Sequence, residues 1–163
     1  MQTARIVREK VIQQLVDGIQ YFKDGTWYSM TEWVEEEETV SDRLIPVENS
    51  IYDHIVVQSE TEKKFVEKLK KRKDVRLFVK LPSWFRVLIP VGQYNPDWGL
   101  VIEEVDAFGE PGPLLYLIRE TKSSKVPDEL RGTENQKIHC GSRHFGDALG
   151  VNYRVITSAD ELP

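Results

Sequence analysis

A single cysteine, Cys140, leaves this 163-residue chain no partner for an intramolecular disulfide and fits a reducing compartment. No stretch approaches the ~18 consecutive apolar residues of a membrane span. The opening MQTARIVREK has no apolar signal core, so the reading is a cytoplasmic chain with no membrane partner. Internal repeats and low-complexity tracts are absent. Net positive charge is absent as well: Lys+Arg 22 against Asp+Glu 27 gives −5, which excludes an overall basic coat for nucleic acid but not a local basic face. What is present is globular. At 40% hydrophobic and 30% charged there is enough apolar material for a core, and the length fits one domain of roughly 150 residues.

Residues 5–19 place Ile6, Val7, Val11, Ile12, Leu15, Val16 and Ile19 at helical spacing. The patch DGIQYFKDGTWYSMTEW carries Asp-Gly turn signals around aromatic residues and predicts a hairpin or paired edge strands. The acidic run 35–38 reads as a solvated loop or face. These segments form an N-terminal extension, 1–45, ahead of a core over 46–163. Within the core, 51–57 is strand-like, and 59–72 is a helix with Ser59 and Glu62 spaced as a capping box. The runs VRLFVK (75–80) and FRVLIP (85–90) are short strands divided at Pro82. Strands follow at 98–105 and 114–121, with AFGEPGP as hairpin punctuation between them. A helical region over 128–149, with a break at Cys140-Gly141, leads to a closing strand at 152–157. This order predicts an α/β fold, a mixed β-sheet flanked by α-helices.

The chemistry gathers at Asp97, Glu120 and Lys122. Side chains alternate along a strand, so Glu120 and Lys122 share one face and Thr121 points to the other. If 98–105 pairs antiparallel with 114–121 around Phe108-Gly109, paired positions sum to about 217 and Asp97 lies opposite Glu120. Two carboxylates and an ammonium then converge at one end of an apolar hairpin. Such a donor pair suits Mg²⁺, which takes one or two carboxylates plus water and substrate phosphate. A lysine beside it can orient or deprotonate water and offset charge on a phosphate under attack. The set fits metal-assisted phosphodiester hydrolysis. Spacing alone also fits an ordinary surface pair at a strand end.

The stretch KLPSWFRVLIPVGQYNPDWGLVIEEV…LLYLIRETKSS resembles the C-terminal endonuclease domain of the type III restriction enzyme cleavage (Res) subunit. DGIQYFKDGTWY and SIYDHIVVQSETEKKF upstream, and RGTENQKIHCGSRHF downstream, are similar to neighbouring blocks of that family, so the likeness spans residues 17–157. The family is of the PD-(D/E)XK nuclease class, and the resemblance implies a restriction-endonuclease-like core. It also implies that Asp97 and Glu120 hold Mg²⁺, that the Thr121 carbonyl adds a ligand and that Lys122 serves the attacking water. The implied partners are double-stranded DNA, a modification (methyltransferase) subunit and a helicase domain. No G-x-x-x-x-G-K-[ST] loop occurs, so ATP-driven translocation lies outside this chain, which looks like an excised domain of a larger subunit. A different class of function is a catalytically silent module that docks DNA or a partner subunit.

Glu62 has two readings. It completes the capping box, and it shares the stripe of Phe65, Val66 and Leu69, where a buried carboxylate needs compensation. In nucleases of this class a glutamate on that helix helps position metal or water, and Glu62 is the matching residue. The dense cations Lys63, Lys64, Lys68, Lys70, Lys71, Arg72 and Lys73 fit either a solvated face or salt-dependent phosphate contacts. Glu134 and Lys137 fall in the downstream block. HCGSRH lacks a second ligand pair at zinc-finger spacing, and Cys140 reads as a small buried apolar residue. Trp84, Phe85, Tyr94 and Trp98 read as core and site wall. Gln58 and Gly99 depart from the family pattern, where an acid and an alanine are usual.

Overall fold

The computed structural model describes residues 2–23, 25, 43–90, 92–106, 108–123 and 132–163. Residues 26–33 of the expected hairpin, the acidic run 35–38 and the start of the second helical region lie outside them. Along the chain run α1 (Gln2–Gly18), β1 (Leu44–Pro46), β2 (His54–Val56), α2 (Glu60–Leu69), β3 (Val75–Lys80), β4 (Val87–Ile89), β5 (Gly92–Tyr94), β6 (Trp98–Val105) and β7 (Pro111–Thr121). Then come α3 (Gly132–Gly141), a π-helical stretch Ser142–Ala148, β8 (Asn152–Ile156) and a closing 3-10 turn. The fold is the expected mixed α/β arrangement.

The central sheet has the order β3-β6-β7-β8. Its first three strands are antiparallel, and β8 joins β7 in parallel after the helical crossover. Trp98 stands opposite Arg119 and Gly99 opposite Ile118, the register expected from sequence. The turn sets it: Gly109 takes a left-handed φ of 83°, and Asp106 Oδ1 accepts N–H bonds from Phe108 and Glu110 at 2.8 and 2.9 Å. Two strands were not foreseen. Leu44–Pro46 pairs with His54–Val56, and Gly92–Tyr94 pairs with Val87–Ile89. Three residues are too short to show a period.

On one face of the sheet, Phe65, Val66 and Leu69 of α2 pack on Phe78, Trp98, Leu100, Ile102, Leu117 and Ile156. Fully burying an aromatic of Trp98's size removes on the order of 200 Å² from water, or about 5 kcal/mol. The other face gathers Val87, Ile89, Tyr94, Cys140 and Phe145, with Ile118 and Tyr153 against them. Helix α1 joins this second cluster through Ile12, Val16 and Ile19, which recur at i, i+4 and i+7. Its other apolar residues, Ile6, Val7, Val11 and Leu15, turn away and stay about half exposed, so the stripe read from sequence is broader than the face that packs. The helical break expected at Cys140-Gly141 is instead a passage from α-helix to π-helix, which keeps the chain helical to Ala148.

Candidate active site

Asp97 stands just before β6, at the end of the ladder where Thr121 closes β7. Oδ2 accepts the Thr121 N–H and the Thr121 hydroxyl, each at 2.7 Å. The same hydroxyl accepts the Trp98 indole N–H at 3.2 Å, so the core fixes Thr121 and Thr121 fixes Asp97. Among the described residues Oδ1 has no hydrogen bond, and Asp97 borders a cleft of ≈ 270 Å³.

Glu120, 5% exposed, sits in β7 between β6 and β8. Lys122 Nζ lies 2.9 Å from Oε1, and the Tyr94 hydroxyl donates to Oε2 at 2.8 Å. The side chains of Lys122 and Glu120 are 23% and 6% exposed, so the surface-pair reading does not hold. The Lys122 N–H continues the ladder by donating to the Ile156 carbonyl, and Nζ also reaches Glu134 Oε1 on α3 at 3.5 Å. A second cleft, ≈ 280 Å³, is bordered by Glu120, Lys122, Glu134 and Lys137. Asn95 lines both clefts, its amide held by the carbonyls of Pro82 and Phe85.

The electrostatics follow from crowding charge where water is scarce. Burial raises the Asp97 pKa, with Glu62 adding to the rise and the two Thr121 bonds opposing it. Glu120 is pushed up to about 7, first by burial and then by the charge of Asp97, against the pull of Lys122 and Tyr94. Burial alone would lower Lys122; Glu120, Asp97 and Glu134 outweigh it and hold it as an ammonium.

Glu62 joins its two sequence readings. Its N–H is capped by Ser59 Oγ at 3.1 Å, as a capping box requires. Its carboxylate, however, returns to the Gln58 N–H at 2.8 Å, one residue before the expected Ser59 N–H, and takes an ion pair from Lys80 at 2.9 Å. Lys80 also donates to the Val56 carbonyl and lines the Asp97 cleft. The pair therefore stands near Asp97, whose carboxyl feels the charge of Glu62.

The basic run divides. Lys68 binds Ser158 and Asp160, and Arg72 binds Asp74 and the C-terminal turn. Exposed Lys63, Lys64, Lys71 and Lys73 have no ion pair among the described residues. Cys140 is fully buried in the second cluster, while His139 is part-exposed with Nε2 3.8 Å from Asp17 Oδ1. A methyl group at Gly99 would meet Val79 at 3.4 Å, ordinary contact, so the site tolerates either small residue there.

Sequence reading missed Lys80 and Tyr153, took Gly141 for part of a helix break and took Tyr94 for core and site wall. Lys80 carried a signal, a charge closing the strand directly after the apolar run Leu77–Val79; Tyr153, distant in sequence, carried none.

A family model described as an endonuclease domain matches residues 48–159, more than half of the chain. No curated protein and no solved structure matches it.

Proposed function

The chain belongs to the endonuclease domain family, and on that premise we propose that it is a Mg²⁺-dependent nuclease domain that hydrolyses DNA phosphodiester bonds within a type III restriction-modification enzyme. The observation that carries the reading is the meeting of Asp97 with Glu120 and Lys122, from two separate blocks of the sequence, at the buried end of one ladder. The likeness of the YNPDW and RETK blocks to the type III cleavage subunit supports the finer assignment.

The donor set fits Mg²⁺. The Asp97 carboxylate stands close enough to raise the proton affinity of Glu120, a repulsion that a divalent cation relieves. Among the described residues no group of three or more His, Cys, Asp and Glu side chains is placed to hold a metal ion, and Mg²⁺ needs no such cage. Asp97, through its free Oδ1, and Glu120 would hold the ion, with the Thr121 carbonyl as the third protein ligand. When bound, it offsets phosphate charge and acidifies water. Lys122, held as an ammonium, donates toward the attacking water or a phosphate oxygen. Glu62 keeps Lys80 at the cleft wall beside Asp97, where its charge meets the DNA backbone. Exposed Lys63, Lys64, Lys71 and Lys73 supply further phosphate contacts.

The test joins plasmid nicking to Mg²⁺ titration of the chain by calorimetry. Wild type should bind Mg²⁺ and Asp97→Ala should neither bind it nor nick. Cleavage that requires the modification subunit and ATP hydrolysis by the helicase would establish the type III setting. A wild-type chain that binds DNA yet takes no Mg²⁺ would instead be a docking module.

A further inference from the structure

We propose that Tyr94 is a positioning residue for the Glu120 carboxylate, and that Tyr153 and Gly141 hold Tyr94 in place. The inference rests on the reading of Asp97 and Glu120 as the metal-binding pair and names what sets that pair. Tyr94 is 3% exposed at the end of β5, and its one hydroxyl proton goes to Glu120 Oε2 at 2.8 Å. The Tyr153 hydroxyl lies 2.7 Å from that of Tyr94, so Tyr153 must be the donor in this second bond. Two hydroxyls in relay thus stand behind one oxygen of Glu120, while Lys122 holds the other at 2.9 Å. One donor on each oxygen fixes the plane of the carboxylate, and each oxygen keeps a lone pair for a further partner.

Packing does not explain the hydroxyl. The neighbours of Tyr94 in its cluster include Val87, Ile89, Cys140 and Phe145, among which a phenylalanine ring would sit without a polar atom to satisfy. The surroundings are shaped for the pair. A Cβ at Gly141 would lie 2.6 Å from Tyr94 Cε1 and 3.0 Å from Tyr153 Cζ and Oη, so only glycine lets α3 close on both rings. Directly after Gly141 the helix widens into its π-helical stretch, a device often found beside functional sites. The same helix carries Glu134, which touches Lys122. Helix α3 therefore braces both donors to Glu120, the ammonium at one end and the tyrosines at the other.

The experiment compares wild type, Tyr94→Phe, Tyr153→Phe and Tyr116→Phe, the last an exposed tyrosine of β7 as control. Each chain is titrated with Mg²⁺ alone by isothermal calorimetry, melted without metal, and assayed for nicking across Mg²⁺ concentrations. Loss of a group that orients a metal ligand weakens metal binding by roughly 10–100-fold. Tyr94→Phe should weaken Mg²⁺ by about tenfold and raise the half-saturating Mg²⁺ for nicking by the same factor, with the rate at saturating metal nearly unchanged. Tyr153→Phe should show a smaller shift, Tyr116→Phe none, and the melting midpoints should stay together. Gly141→Ala, which keeps every donor but displaces the rings, should weaken Mg²⁺ in the same direction. If Tyr94→Phe binds Mg²⁺ as wild type does while Asp97→Ala loses it, the metal reading stands and this inference falls. A Tyr94→Phe chain that melts several degrees lower in step with its affinity loss also overturns it, because the ring's packing would then be the cause. Equal Mg²⁺ binding by wild type and Asp97→Ala defeats the metal reading itself.

Discussion

Two ion pairs lie toward opposite ends of the β6–β7 ladder, Arg76 with Glu103 near the turn and Lys122 with Glu120 at the site. They are chemically alike and differently placed. The side chains of Arg76 and Glu103 are 53% and 19% exposed, against 23% and 6% for Lys122 and Glu120. Near the turn, water screens the charges, and such a pair contributes about 0–1 kcal/mol. At the site, Glu120 meets Asp97, Tyr94 and Lys122 where water is scarce, and each charge shifts its neighbours. A carboxylate that is costly to keep ionised is one that a divalent cation can stabilise most. The difference locates chemistry by burial, since the residue types alone do not separate a carboxylate–cation pair at one end from one at the other.

The sharpest break between the two ends comes from removing a carboxylate at each. Asp97→Ala should reduce Mg²⁺-dependent nicking by about a thousandfold or more, because charge stabilisation by a metal is worth several kcal/mol. DNA binding should persist or tighten, since a carboxylate that repels phosphate is gone. Glu103→Ala should leave nicking at the wild-type rate. Gel-shift and nicking assays on the two variants check both halves, and a Glu103→Ala chain that also fails to nick would undo the comparison.

Lys122→Met tests the cation at the site end. It should slow nicking by about a hundredfold, the scale of a lost proton-handling group, while Mg²⁺ affinity persists or rises because a neighbouring positive charge is removed. Asp97→Ala and Lys122→Met then share a phenotype in nicking and part in calorimetry. Cleavage by Lys122→Met at the wild-type rate would sink the role given to Lys122.

Most of the site's skeleton was legible because it depends on period and register. Alternation along 98–105 and 114–121, with one hairpin turn, was enough to bring Asp97 to Glu120 and Lys122. The Ser59 cap on α2 was legible for the same local reason. What stayed hidden depends on contacts between distant segments. Tyr153 comes 33 residues after Glu120 and meets Tyr94 only because β8 adds in parallel beside β7. Arg119 is 1% exposed, bonded to the carbonyls of Ile118 and Asn152, although a lone arginine in LLYLIRET carries no mark of burial. Gly141 looked like a helix break because a glycine required by ring packing and one that ends a helix are the same letter.

Acidity should separate the two ends without any change to the oxygens of Asp97. Glu120 holds its proton in the fold up to about 7, against an ordinary value of 4.5, and Asp97 is raised as well. Across that window the folded chain binds more protons than the unfolded one, so stability falls as pH rises from about 5 to 8. His144, lowered by burial, pulls the other way near its ordinary 6.5, and Asp74 and Asp160 act only below about 4. The contribution of Glu120 is therefore read as a difference. In chelator, the melting midpoint of wild type should fall with pH relative to Glu120→Gln, and Mg²⁺ should raise the wild-type midpoint more at pH 8 than at pH 5. Parallel curves for the two chains would mean that Glu120 titrates as an ordinary glutamate.

The smallest effect belongs to the pair near the turn. Arg76 reaches Glu103 from β3 across to β6, with most of the arginine side chain in water. Glu103→Gln leaves Arg76, more than half exposed, free to be solvated, so that variant strands no buried charge. The coupling between them, from a double-mutant cycle in urea, should be below about 1 kcal/mol and should shrink as salt rises. Neither variant should move Mg²⁺ affinity, because the pair lies at the far end of the ladder from Asp97. A coupling of about 3 kcal/mol, on the scale of a pair held away from water, would mean that burial does not distinguish the two ends, and the argument that singles out Glu120 would lose its footing.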